Sequence, residues 1–135
     1  MIRVPIYLLL FLTLVSCNII NSENAGELSI ELNPQQVQID EDPTLLIKNL
    51  TTSTIRYHCG YDVEVLKNGD WETATQTGCA NSFPYPIEPK DSYSISLSLF
   101  SEEAGTYRVI ILISIKDGDE WDLEKRATNA IKVIE

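Results

Sequence analysis

The chain has 135 residues, 44% hydrophobic and 22% charged, with six Gly and six Pro, which excludes a collagen-like, low-complexity or wholly disordered chain. Twenty Asp and Glu face ten Lys and Arg. An acidic surface of this kind repels nucleic-acid phosphate and anionic headgroups, so no nucleic acid is expected as a partner, and the charge serves solubility.

The chain opens with the short positive start Met1-Ile2-Arg3, followed by an almost unbroken apolar run from Val4 to Val15. A run of about twelve residues has signal-peptide length, whereas a helix that spans a bilayer needs about twenty. Leu14-Val15-Ser16-Cys17 follows at once and resembles the lipobox of bacterial lipoproteins, in which a small residue precedes a Cys at the end of the apolar run. The resemblance implies cleavage after Ser16 and a lipid on the thiol of Cys17. Each buried CH₂ of such a chain contributes about 0.8 kcal/mol, so two or three acyl chains hold a soluble domain durably. Asn18 stands where inner-membrane lipoproteins of double-membraned cells carry Asp, which by analogy implies the outer membrane if the cell has both. Loss of Arg3 with the leader leaves nine basic residues against twenty acidic, a balance of −11. The polar stretch from Asn18 to Gly26 reads as a flexible tether. The expected organisation is a signal peptide over 1–16, lipidated Cys and tether over 17–26, and one domain over 27–135.

From residue 28 onward the pattern is β. Leu28, Ile30 and Leu32 alternate with polar residues up to Asn33-Pro34, and Val37 and Ile39 extend the strand after a kink. Strands are then predicted over Thr44 to Leu50, Thr54 to Cys59 and Asp62 to Leu66. Lys67-Asn68-Gly69-Asp70 is a hairpin signal, since Asn-Gly accepts the left-handed angles of a type I′ turn. Thr73 to Pro89, with three prolines, is predicted irregular. Tyr93, Ile95, Leu97 and Leu99 alternate with serines, which buries one face of a strand and wets the other. A long strand over Tyr107 to Lys116 leads into the turn Asp117-Gly118, and Arg126 to Ile134 ends the sheet. About seven short strands without helices predict an all-β, two-sheet sandwich of immunoglobulin-like type.

The chain has three cysteines. Once Cys17 is assigned to lipid, Cys59 and Cys79 form an even pair in an exported protein, where disulfides persist. A metal site with the adjacent His58, the single histidine, would lack a fourth ligand and a known zinc spacing. Neither a metal nor a cofactor is therefore expected.

The series Leu46-Ile47-Lys48-Asn49, Tyr57-His58-Cys59-Gly60-Tyr61, Asn68-Gly69-Asp70-Trp71, Ile87-Glu88-Pro89-Lys90-Asp91-Ser92 and Ala104-Gly105-Thr106-Tyr107-Arg108-Val109 resembles bacterial immunoglobulin-like domains of cell-envelope proteins over roughly residues 44–134. Where such domains often carry Pro-Gly-Glu-Ser, this chain has Pro-Lys-Asp-Ser. The resemblance implies the fold, an envelope location and a structural role for Tyr107, whose hydroxyl would tie a loop to the following strand in the manner of a tyrosine corner. It implies no activity.

No phosphate loop, nucleophile elbow or His-Glu-x-x-His helix occurs, and no carboxylate pair stands out, so no enzyme is expected. Asp117, Asp119, Glu120, Asp122 and Glu124 crowd one turn without the spacing of an EF-hand loop and read as a solvated hairpin tip. Two features point toward binding. Ile110 and Leu112 make the long strand apolar on both sides, so that another segment covers the second face or a partner does. Tyr57, Tyr61, Phe83 and Tyr85 bracket the proposed disulfide and suit either recognition or packing around it. The expected function is a non-enzymatic protein-binding or accessory module, lipid-anchored at the cell envelope, with another envelope protein as its partner. The alternatives are an inhibitor of exported proteases or, with less support, a carbohydrate- or metal-binding protein. The oligomeric state is open at this level.

Overall fold

Alternation of apolar and polar residues sets the strands, and two long central strands decide how the others attach. A computed structural model describes residues 27–79, 84–99 and 101–135, and these contain no helix. The expected leader and tether, Cys17 and Phe83 lie outside the described residues. A small antiparallel sheet holds β1 (Leu28–Asn33), β3 (Thr44–Asn49) and β7 (Ser92–Ser96) in the order β1-β3-β7. The larger sheet runs β2 (Gln36–Gln38), β10 (Ile131–Ile134), β8 (Gly105–Asp117), β4 (Ile55–Lys67) and β5 (Asp70–Gln76), with β6 (Tyr85–Ile87) on β4 and β9 (Glu120–Ala127) on β8.

β4 and β8 are each 13 residues long and pair antiparallel from Ile55 opposite Ile115 to Val65 opposite Tyr107. They outrun their neighbours, so each flank is shared. β6 takes the first residues of β4 and β5 its second half. On the other side β10 takes the start of β8 and β9 its later two thirds. This arrangement revises the sequence-based expectation in three places. Val37 does not prolong β1, because the chain crosses at Asn33-Pro34 to the other sheet, where β2 pairs parallel to β10. The stretch expected to be irregular contains the end of β5 and all of β6. The final segment divides into two strands around Thr128, Asn129 and Ala130.

The core lies between the sheets. Leu32, Leu45 and Ile47 of the small sheet and Ile55, Val63, Val109, Ile111 and Ile113 of the large one are all at 0% exposure in a single cluster. Each such side chain contributes roughly 1.5–3 kcal/mol on leaving water. Asn49 is the fully buried polar exception, and its amide is satisfied on both ends. It donates to the carbonyls of Ser53 and Ile87, each at 2.8 Å, and accepts from Thr51. A hydrogen-bonded amide in the core fixes the β3–β4 turn against the end of β6, because leaving it unpaired would cost about 1–3 kcal/mol. At the opposite end the buried Tyr107 hydroxyl donates to the carbonyl of Glu103 at 2.9 Å, tying the loop before β8 to the strand itself.

Candidate binding groove

A strand that must stay in register for 13 residues accommodates extra residues by bulging. In β4, His58 faces Leu112 and Tyr61 faces the adjacent Ile111, so the register shifts across Cys59 and Gly60. Gly60 takes φ +96°, and a Cβ there would sit 3.0 Å from the carbonyl oxygen of Thr77 and 3.5 Å from Cys79 Sγ. Glycine is therefore demanded both by the backbone angle and by the approach of a second strand. Thr77 closes the gap. Its hydroxyl accepts from the Tyr61 N–H at 2.9 Å and donates to the Tyr61 carbonyl at 3.0 Å, and its own N–H donates to that carbonyl at 2.9 Å.

The bulge pushes Cys59 out to the exposed surface, where it is bonded to Cys79 with the two Cα atoms 5.8 Å apart. The bridge staples the bulge to the segment leaving β5. Beyond it, Tyr61 returns to the core face and donates its hydroxyl across to the carbonyl of Ser98 at 2.8 Å.

Here the ladder partners diverge, and a groove of about 500 Å³ opens on the outer face of the larger sheet. Ile110 and Leu112 lie on its floor, the bulge and Gly78 form one wall, and Lys125 of β9 stands on the other. Both floor residues are half-buried. The cross-strand rows of this face read Asp62, Ile110, Ala127; then His58, Leu112, Lys125; then Arg56, Ser114, Leu123; then Lys116, Trp121. On each side of the groove an arginine stacks on a tryptophan. Arg56 sits 3.7 Å from the ring centroid of Trp121, and Arg108, held by Glu64 at 2.6 Å, sits 4.3 Å from that of Trp71. Such pairs contribute about 0.5–1 kcal/mol at exposed sites and hold flat, rigid surfaces in place.

The singled-out aromatic residues separate. Tyr57, a candidate for recognition or for packing, is not on the binding surface: it is 3% exposed and its ring lies 5.5 Å from that of Tyr93 between the sheets. It faces inward because it is in register with the core residue Ile113. Burial, with the neighbouring Tyr93 and Tyr61 hydroxyls, pushes its pKa up to about 12. Tyr61 is half-buried, with its hydroxyl engaged at Ser98 and its pKa raised chiefly by burial. Tyr85 is 51% exposed but covers Tyr93 at 4.3 Å on the inward side, away from the groove. Tyr57, Tyr61 and Tyr85 thus do not gather into one surface, whereas Ile110, Leu112 and the bridged Cys59 line the groove together. Arg56, Trp121, Leu123 and Lys125 belong to the same face. Over 120–127 only Trp121 and Leu123 alternate with charged residues, too short an apolar pattern to mark a strand, and Arg56 carried no signal.

The arrangement offers contact surfaces and little reactive chemistry. His58 shares a hydrogen bond of 2.6 Å with the Ser114 hydroxyl, but Ser114 is only 5% exposed and no substrate reaches a nucleophile so enclosed. Among the described residues no group of three or more His, Cys, Asp or Glu is placed to hold a metal ion.

The model of the family described as Bacterial Ig-like domain matches residues 23–128. The chain belongs to that family. No curated protein matches it in sequence. Among solved structures, the DNA glycosylase AlkC of Pseudomonas fluorescens, bound to DNA with an abasic site analog, is 10% identical at a TM-score of 0.43. The match covers 82% of this chain, which spans 31% of the glycosylase chain. The ASH/PapD-like domain 7 of human CEP192 is 16% identical, with 79% and 86% covered and a TM-score of 0.34. A protein from Archaeoglobus fulgidus is 14% identical, with 79% and 94% covered and a TM-score of 0.35. Likenesses this distant carry no functional argument. A Bacterial Ig-like domain is typically a non-catalytic binding or accessory module. With its disulfide, this one has the marks of an exported protein.

Proposed function

We propose that this Bacterial Ig-like domain is a protein-binding accessory module held at the cell envelope by a lipid on Cys17, and that it engages another envelope protein through the outer face of its larger sheet. The observation that carries the reading is the groove over Ile110 and Leu112. Two aliphatic side chains on the solvent side of a central strand lie half-buried between a stapled bulge and Lys125. Concave apolar sites with a few fixed polar groups are where partners bind, and a disulfide-stapled wall loses little freedom when they do.

The anchor rests on the leader, the Leu14-Val15-Ser16-Cys17 motif and a disulfide that suits an oxidising compartment. Asn18 favours the outer membrane in a cell with two. Residues 18–26 then lift the domain clear of the lipid, and with a −11 balance it stands off an anionic surface.

Two measurements test the proposal. Intact mass of detergent-extracted protein should begin at Cys17 with added acyl chains, and Cys17→Ala should be released or left unprocessed. An unmodified Cys17 in the mature chain contradicts the anchor. Cross-linking in living source cells should enrich one envelope protein joined through Lys116 or Lys125, and absence of any enriched protein contradicts the binding role.

A further inference from the structure

β9, like β5 at the other flank of the larger sheet, turns carboxylates to the core side and a tryptophan to the outer side. Glu120, Asp122, Glu124 and Arg126 occupy the side that, in β8, carries the core residues Ile111 and Ile113 and the partly buried Ile115. Trp121, Leu123 and Ala127 are turned to the outer side, and Leu123 is 59% exposed, the most of any large hydrophobic residue described. A strand pays no penalty for charge on the core side only where the opposite sheet does not reach it. The small sheet has three strands against seven, and the carboxylates of β9 are solvated or paired, Glu124 with Arg126 at 2.7 Å. That explains the charged side. On the apolar side Trp121 is covered by the stacked Arg56, and Leu123 stands open beside the groove.

Charge is inverted on the same face. Three rows join β4, β8 and β9 and a fourth joins β8 to β9; together they carry Arg56, Lys116 and Lys125 against one carboxylate, Asp62, while the next outer row pairs Arg108 with Glu64. The whole chain runs twenty acidic to ten basic. Basic and apolar groups are thus collected on one surface of a strongly acidic protein.

We infer that this face recognises an acidic, apolar-bearing segment of a protein partner, with its carboxylates over Lys116 and Lys125 and an aliphatic or aromatic side chain in the groove over Leu112. The inference rests on the protein-binding reading above and narrows it. A second copy does not fit face to face, because it would bring the same cations together and like charges across an interface repel. Arg56 is pre-set by its stacking on Trp121, so the flat part of the surface needs little ordering on contact.

The test is a photo-crosslinking amino acid placed in the full chain in source cells, at Leu123 in one strain and at Ser94 in another. Ser94 is exposed on the outer side of the small sheet and serves as the opposite-face control. The expected result is capture from Leu123 of one protein, through a peptide rich in Asp or Glu. Lys116→Glu with Lys125→Glu should lower that yield roughly tenfold at unchanged abundance, the scale of loss when paired charges at an interface become like charges. Capture from Ser94 alone would place the contact on the other sheet, overturning this inference while the binding role stands. Capture from Leu123 through a peptide without carboxylates, or insensitive to the charge reversal, would overturn the proposed partner chemistry. No capture from either position would overturn both. Binding of the soluble domain to vesicles with phosphatidylglycerol, abolished by the same double reversal, would reassign the face to a membrane surface.

Discussion

The hydroxyl of Tyr61 reaches the carbonyl of Ser98 at 2.8 Å because the register shifts across the two residues before it, Cys59 and Gly60, and returns Tyr61 to the core face. One bulge therefore does three things. It ties the two sheets together at this edge, exposes Cys59 for its bridge, and opens the groove beside Ile110 and Leu112. Tyr61→Phe keeps the ring and removes only the tie, so unfolding in urea should show a loss of about 1 kcal/mol with an unchanged slope.

Gly60 is the residue on which the bulge depends. Gly60→Ala puts a Cβ 3.0 Å from the Thr77 carbonyl at a φ of +96°, and should cost about 1–3 kcal/mol. Gly78, also in the groove wall, has nothing within 4 Å of its virtual Cβ and no positive φ, so Gly78→Ala should be close to neutral. Thermal unfolding of the two variants side by side checks the contrast.

The bridge closes a loop with a sequence separation of 20. In the chain-entropy account this contributes about 3 kcal/mol, and Cys59→Ser with Cys79→Ser should lose that amount without unfolding the sandwich. The check is the denaturation midpoint of the oxidised protein, the reduced protein and the double variant, of which the last two should agree.

Much of this architecture was legible in the sequence, and the parts that were not share a cause. The serine-alternating strand, the Asn68-Gly69 and Asp117-Gly118 turns, and the pairing of Cys59 with Cys79 follow from local chemistry, and the turn glycines take φ +86° and +62°. β9 was missed because its solvated core-side positions carry charge, so the strand lacks the usual apolar signal and is held mainly by the β8 ladder. β6 was missed because Pro84, Pro86 and Pro89 argue against pairing, although an edge strand tolerates Pro86 where no N–H is needed. The bulge was invisible because two extra residues preserve the alternation of Tyr57 and Tyr61. That same parity hid the burial of Tyr57, which looked like part of a loop surface and is a core ring.

Alkaline pH should destabilise the fold through that ring. A tyrosine whose native pKa lies above its unfolded value binds its proton more tightly when folded, so the contribution is complete below the unfolded value of 10.0 and disappears as pH passes about 12. Tyr61 and Tyr107 are shifted in the same direction by burial. Stability measured by urea unfolding should therefore fall across that interval, and Tyr57→Phe should flatten the fall.

The inner face of β8 and the outer face of β9 make opposite predictions. Ile111 is at 0% exposure, and Ile111→Ala should cost about 2–4 kcal/mol. Leu123→Gln, at a position 59% exposed, should stay within about 0.5 kcal/mol of wild type. Equal losses in calorimetry would mean that the outer face is structural.

The most direct test of the central claim is capture of partner in source cells by the wild-type chain and by Leu112→Gln, compared at equal membrane abundance and after checking that the variant is folded. The account predicts one envelope protein captured by the wild type and lost from the variant. Equal capture by both, or capture by neither, would contradict a binding surface on the outer face of the larger sheet.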